Sequence, residues 1–321
     1  MLVSRAGFPR RTLFYLVDAL VLAGVVLAGI GLAQLFVGGT VQAEGVVRIR
    51  SVYGSPNNLA LFLGRVFPIL LVFGLFGTER RRRLAYSLAA VPIITALFLT
   101  FSMAAWLAGL PAALLFIGLM RGRRALAVVT GLISAAGLAL LPFAWSERVA
   151  RLLDIGASRT GQLRLMLWEA TLNMIRDHPW LGVGLDNFLY QYREVYVLPE
   201  ALMDRDLSHP HNIILDWWTR LGILGPVAVI WMLVVFFRDG MRLYRFVVRT
   251  SVRHSGAEAP TTNLNLEPDF AWLVLGLMAS MVDTVAHGLL DHSYFLVDLA
   301  FVFMLALGIV RRLTTTMMRD A

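Results

Sequence analysis

Long apolar runs, broken by short arginine-bearing segments, dominate this chain. A helix needs roughly 20 apolar residues to cross ~30 Å of hydrocarbon. About eight such windows occur, at 12–37, 58–77, 84–102, 104–120, 125–144, 221–237, 270–290 and 294–310. Only Phe101 to Ala104 joins the third to the fourth, which predicts a tight helical hairpin there. The first window follows Arg10 and Arg11, is too long for a cleaved signal peptide and has no small-residue cleavage site near its end. It is therefore expected to stay in the mature protein. The pattern predicts an all-α, polytopic integral membrane protein with about eight transmembrane helices and one large extracytoplasmic loop. Helices 1–5 fall within residues 1–144, the loop at 145–210, and helices 6–8 within 211–321, with a cytoplasmic linker at 238–269.

Composition agrees and adds an orientation. Hydrophobic residues make up 58% of the 321 and charged residues only 16%, against about 25% charged in soluble domains, so a single soluble globule is excluded. There is no cysteine, which excludes disulfides and thiolate metal sites. The net charge of +8 comes with 29 basic residues, every one an arginine. Placing the amino terminus in the cytoplasm puts Arg80–Arg83, Arg121, Arg123, Arg124, Arg238, Arg242, Arg245, Arg249, Arg253, Arg311 and Arg312 on the cytoplasmic side. Arg5, Arg10, Arg11 and Arg319 join them, giving 18 of the 29 arginines. This is the positive-inside rule met at each loop. The basic balance thus reports topology, with both termini cytoplasmic, and no nucleic-acid partner is expected.

The loop from Trp145 to Pro210 carries 7 arginines and 9 acidic residues, as a water-facing insertion should. Within it, Leu165, Trp168, Leu172 and Ile175 recur at three- and four-residue spacing, which predicts an amphipathic helix over Gly161–His178 lying at the membrane interface. Pro179 stops it, and HPWLGVGLDNF follows as a glycine-punctuated turn. Such glycines serve either a bare turn or a close backbone approach to a neighbour or ligand. The turn is no nucleotide fingerprint, because the third glycine and the strand-to-helix setting are missing.

At SHPHNIILDWWTRLGILG, Pro210 fixes the chain just before the sixth span. His211 and Asn212 then lie near a helix N-terminus at the outer surface, offering an imidazole, an amide and the positive end of a helix dipole to an anion. His209 and His211 are two apart, but no carboxylate accompanies them at a ligand spacing, so no metal is expected. Charges inside spans are costly and mark candidate sites. These are Asp18, Arg65, Asp283, His287 and Asp298; Asp283 and His287 stand four apart on one helical face, with Asp291–Tyr294 (DHSY) just beyond.

Four segments together resemble the membrane domain of the O-antigen ligase and polymerase family of bacterial envelope glycosyltransferases. They are SVYGSPNNLALFL at 51–63, FSMAAWLAG at 101–109, RLMLWEATLNMIRDHPWLGVGLDNF at 164–188 and HNIILDWWTRLGILG at 211–225. The resemblance implies an all-helical protein of the bacterial cytoplasmic (inner) membrane, acting at the outer face without cofactor, metal or nucleotide. Its donor would be a glycan on undecaprenyl diphosphate and its acceptor a glycan or glycolipid hydroxyl. By position His211 is similar to the family's essential histidine and Arg164 to its loop arginine. A guanidinium suits the charge that builds on a departing diphosphate, and an imidazole suits a base working near neutrality.

The chain departs from the family in three places. Met103 stands where an arginine is common, Arg220 stands where glutamate is common, and there are about four fewer amino-terminal spans, which implies a short member or a missing upstream segment. The first departure calls for a substitute cation, and Arg65, two turns into its span, is the favoured choice beside Arg48 and Arg50. His211 and Arg164 are therefore expected in the reaction, and Arg65, Arg48, Arg50, Asn57, Asn58, Asn212, Arg159 and His209 on the substrate. The rival readings are a catalytically degenerate glycan-lipid-binding protein and a transporter with an Asp283, His287 and Asp298 relay. A reporter fused after Arg83, Arg124 or Thr250 should read cytoplasmic, and one placed within 198–208 should read extracytoplasmic. An outside signal at Arg124 overturns the eight-span arrangement.

Overall fold

The computed structural model describes residues 12–43, 45–144, 159–254, 268–292 and 294–317. The amino-terminal arginines, the first part of the loop and residues 255–267 of the linker expected at 238–269 lie outside the described residues. In chain order the helices begin with α1 (Thr12–Val37), α2 (Pro56–Phe76), α3 (Arg80–Leu99), α4 (Leu110–Arg121) and α5 (Arg123–Ala144). They continue with α6 (Arg159–Asp177), α7 (Phe188–Gln191), α8 (Ile213–Leu221), α9 (Leu224–His254), α10 (Asp269–Gly288) and α11 (Val297–Met317).

Every apolar window is thus helical, and the protein is all-α and polytopic. Among the described residues five helices are long and apolar enough to cross a membrane: α1, α2, α3, α9 over Leu224–Thr250, and α10. The fourth window holds a shorter apolar helix, Ala105–Arg121. The fifth and eighth windows hold α5 and α11.

The chain divides into two compact units, one of residues 1–122, 234–287 and 294–321, the other of 123–233 and 288–293. In the first unit α2 is central and packs against α1, α3, α4 and α11. Leu59 to Val66 of α2 are buried without a break, as expected for a helix apolar all round. By contrast α1 leaves Tyr15, Leu22 and Val26 exposed, and α3 leaves Leu84, Leu88 and Val91 exposed. Apolar flanks of this kind suit lipid. Ser55 starts α2 as its N-cap, its hydroxyl accepting from the Asn57 N–H, and Pro56 occupies the first turn, where a missing N–H costs nothing.

Between α1 and α2 lies a hairpin the apolar pattern does not announce. Val41–Ala43 (β1) pairs antiparallel with Val46–Arg48 (β2), Val41 opposite Arg48. The Ile49 N–H then donates to the Leu99 carbonyl, tying this segment to the end of α3. Where a tight hairpin is expected between α3 and α4, the chain turns with Phe101 in the left-handed region (φ 48°) and a wide helical turn, Ala105–Gly109, leads into α4, which packs on α2.

The charges inside the spans are largely consumed by packing. Asp18 accepts from the Tyr86 hydroxyl at 2.5 Å and from Arg82 at 3.2 Å, and Asp298 accepts from Tyr53 at 2.5 Å. Asp283 and His287 share a helical face without hydrogen-bonding to each other: both Asp283 oxygens are buried without a hydrogen bond. The carboxylate is instead wedged against two glycines, and a Cβ at Gly64 would lie 2.8 Å from its Oδ2 and one at Gly109 2.5 Å from its Oδ1. Those glycines let three segments approach closely, as small residues do in membrane helices.

Gly109→Ala should therefore lower the stability of the detergent-solubilised protein by about 1–3 kcal/mol through overpacking. Adding Asp283→Ala should recover part of it. Gly29→Ala, where nothing lies within 4 Å, should be neutral or stabilising. Equal thermal melts for Gly109→Ala and the parent would show that the contact relaxes freely.

Candidate active site

The second unit is built on α6. The sequence pattern expects Leu165, Trp168, Leu172 and Ile175 to form its apolar face; Ile175 is buried as expected, but the main buried stripe runs through Leu167, Ala170 and Met174, which pack on Phe188 and Tyr192. Leu165 and Leu172 stay exposed. The helix has two apolar faces, and the loop that folds back over it selects one. After Pro179 the glycine turn lies directly on the end of α8: the Val183 N–H donates to the Thr219 carbonyl at 2.7 Å and the Ile223 N–H to the Pro179 carbonyl at 3.0 Å. A Cβ at Gly182 would overlap the Thr219 carbonyl oxygen, so this glycine serves close backbone approach.

Arg220, the residue that departs from the family pattern, clamps this arrangement. Its guanidinium donates to Asp216 (2.7 Å), to Asp186 (3.2 Å), to the Leu185 carbonyl and to the Ser208 carbonyl (3.4 Å). It thereby holds the glycine turn and the histidine segment on α8. Trp168 adds a second tie by donating its indole N–H to the Pro210 carbonyl at 2.9 Å.

His211 follows Pro210 in the left-handed region (φ 51°), which a β-carbon disfavours and which recurs at functional sites. Its Nδ1 lies 2.7 Å from Oδ1 of Asp291, a residue 80 positions later. Asp291 is buried and takes a second bond, at 2.9 Å, from the His292 N–H. Burial alone would raise its carboxyl, but the hydrogen bonds and charges of His211 and His292 hold it well below the ordinary carboxylate value. An ionised Asp291 only accepts, so its contact with His211 is an Nδ1–H donation, which in the neutral ring puts the lone pair on Nε2. The His209 ring lies 3.7 Å from that of His292 and 4.2 Å from that of His211, centroid to centroid. Burial, and then its two imidazole neighbours, push His209 well below its usual value, towards the neutral form.

Neither Asp291 nor His292 was assigned to the site from sequence. Their adjacency in DHSY is a signal, but nothing local links it to the histidine segment far upstream. The absence of a supporting carboxylate is also corrected: His209, His211, Asp291 and His292 each offer a ligand atom, all within 4.8 Å of one another.

The other expected residues scatter. Arg164 lies one turn before Trp168 on α6, half-buried, which puts it on the face that reaches Pro210. Arg159 starts α6, with its side chain outside the described residues. Asn212, expected on the substrate, caps α8. Its Oδ1 accepts from the Ile214 and Leu215 N–H groups and its Nδ2 donates to the Leu289 carbonyl, so the helix dipole is met from within. In the first unit Arg48 donates to the Thr100 carbonyl (2.6 Å) and to Asn57 Oδ1 (2.8 Å). Arg50 donates to the Gly39 carbonyl at 3.2 Å, and the Asn58 N–H closes the first turn of α2 on the Ser55 carbonyl. Arg65, expected on the substrate, is fully buried and donates to the Leu299 carbonyl at 2.6 Å.

Residues 88–232 match the family model described as O-antigen ligase. That segment, a little under half of the chain, is similar to the O-antigen ligase family. The matched segment contains Arg164, His209, His211 and Arg220 and ends before Asp291. No curated protein shows a significant match. The matched segment and the membrane-length helices support a multi-pass, glycan-handling membrane protein of ligase- or polymerase-like kind.

Removing Arg220 would leave Asp216, 1% exposed, without its ion partner. Arg220→Ala should cost about 3–5 kcal/mol, and the Arg220→Ala/Asp216→Ala pair should cost less than Arg220→Ala alone. Denaturant titration of the purified protein checks this. A double variant as unstable as Arg220→Ala would show that the carbonyl contacts, and not the ion pair, carry the effect.

Proposed function

We propose that the protein transfers a glycan from undecaprenyl diphosphate to an acceptor sugar hydroxyl at the outer face of the inner membrane. The observation that carries this is the 2.7 Å contact between His211 Nδ1 and a buried Asp291, in a chain of O-antigen ligase-like sequence. Asp291 fixes the tautomer, so Nε2 takes the proton from the acceptor hydroxyl. The oxygen attacks the anomeric carbon, the bond from that carbon to the diphosphate oxygen breaks, and the electron pair leaves with the diphosphate. Asp291 also stabilises the imidazolium as it forms. Arg164, half-buried on the face of α6 that reaches Pro210, is the cation assigned to the departing diphosphate, a group that a planar guanidinium grips in bidentate fashion.

The binding-only reading draws on one observation: Met103 supplies no charge, and Arg65, the favoured substitute, is buried. Reconstitution with polyprenyl-diphosphate glycans separates the two. His211→Ala should lose about 10²–10⁴-fold in turnover, the span of general-base catalysis. Arg164→Lys should lose most activity, since a point charge does not reproduce the fork. Asp291→Asn should lower turnover, because the imidazolium that forms loses the carboxylate that stabilises it. A parent that binds donor yet forms no product would establish the binding-only reading, and full activity in His211→Ala would remove the base assignment.

A further inference from the structure

Three imidazoles and one carboxylate converge in the second unit, from two segments distant in the chain. His209, His211, Asp291 and His292 present ligand atoms within 4.8 Å of one another. Two polar atoms of this group, His209 Nδ1 and Asp291 Oδ2, are buried with no hydrogen-bond partner. Buried polar atoms are ordinarily satisfied, and an unsatisfied imidazole nitrogen and an unsatisfied carboxylate oxygen within one cluster are groups that a cation would satisfy. A tetrahedral zinc ion with bonds of about 2.0–2.2 Å sets its ligand atoms about 3.3–3.5 Å apart. The present spacing, from 2.7 Å between His211 Nδ1 and Asp291 Oδ1 to 4.8 Å at most, brackets that separation, so small side-chain rotations reach it. A set of three neutral imidazoles and one carboxylate suits Zn²⁺ and its transition-metal neighbours, while Mg²⁺ and Ca²⁺ prefer oxygen ligands.

We propose that His209, His211, Asp291 and His292 form a zinc site whose occupancy switches off the base. The inhibitory half rests on His211 being that base; the binding half does not. With Asp291 as partner, His211 carries its proton on Nδ1 and its lone pair on Nε2. Coordination through Nδ1 needs the lone pair there, so the proton moves through solvent to Nε2 and the ring becomes a donor towards the acceptor hydroxyl. No net proton is released from His211 in the exchange, and its capacity to accept one is lost. Metal occupancy and general-base catalysis therefore exclude each other at this imidazole.

The test uses the full chain, purified in detergent, stripped with chelator and titrated with ZnCl₂ by calorimetry, with CoCl₂ as a spectroscopic probe. One zinc per chain should bind, Co²⁺ should give the intense visible absorption of a tetrahedral site, and MgCl₂ should give no heat at the same concentrations. His292→Gln and, separately, His209→Gln should each weaken zinc at least tenfold while melting at the parent temperature. Either variant suffices if the other does not fold. Absence of stoichiometric zinc binding, or affinity unchanged in both variants, would overturn the site. In a second arm, zinc should inhibit glycan transfer by the parent at the concentration at which it binds, with chelator restoring activity, and His292→Gln should need at least tenfold more zinc for equal inhibition. Stoichiometric binding without inhibition would retain the site, overturn the switch and count against His211 as the base.

Discussion

A carboxylate taken out of water must find donors, and in this protein that constraint falls on Asp291. An ionised group at 1% side-chain exposure is tolerated only when hydrogen-bonded and charge-compensated. Its closest donors are the His292 N–H and the Nδ1–H of His211, with the His292 ring nitrogen at 3.3 Å. The first comes free with the chain. The second must be delivered by a much earlier segment and held at the length of a normal hydrogen bond. Much of the second unit's architecture is the apparatus of that delivery.

Several interactions converge on the segment around His211. Trp168 grips the Pro210 carbonyl from α6, Arg220 reaches the Ser208 carbonyl from α8, and Asn212 caps α8 while also donating to Leu289 close to Asp291 in the chain. The glycine turn at 182–184 lies on the last turn of α8 through backbone hydrogen bonds, which side chains would block. Rigid backing on this scale is what a proton-transfer site requires, since rate depends on close alignment of the reacting groups.

What the sequence discloses follows from how local the determining physics is. Membrane-length apolar runs answer to the bilayer alone, so all eight windows are helical and lie close to where they were expected. The pattern along α6 is ambiguous because two apolar stripes coexist, and only the returning segment around Phe188 and Tyr192 decides between them. Arg65 misleads for a related reason: the cost of a charge in a span says that it has a partner, without saying whether that partner is substrate or the Leu299 carbonyl. Asp291 is legible as a polar residue at a span's end but not as the partner of His211, because pairing between such distant segments is written in tertiary structure and not in spacing.

The backbone of His211 has an evolutionary corollary. A side chain in the left-handed region is strained by roughly 1–2 kcal/mol, and glycine or asparagine would relieve it. The local backbone, taken by itself, would prefer something else at this position, and the imidazole's bond to the buried Asp291 opposes the change. A chain that replaced His211 would strand that carboxylate, so the two positions, 80 residues apart, should change together among related chains.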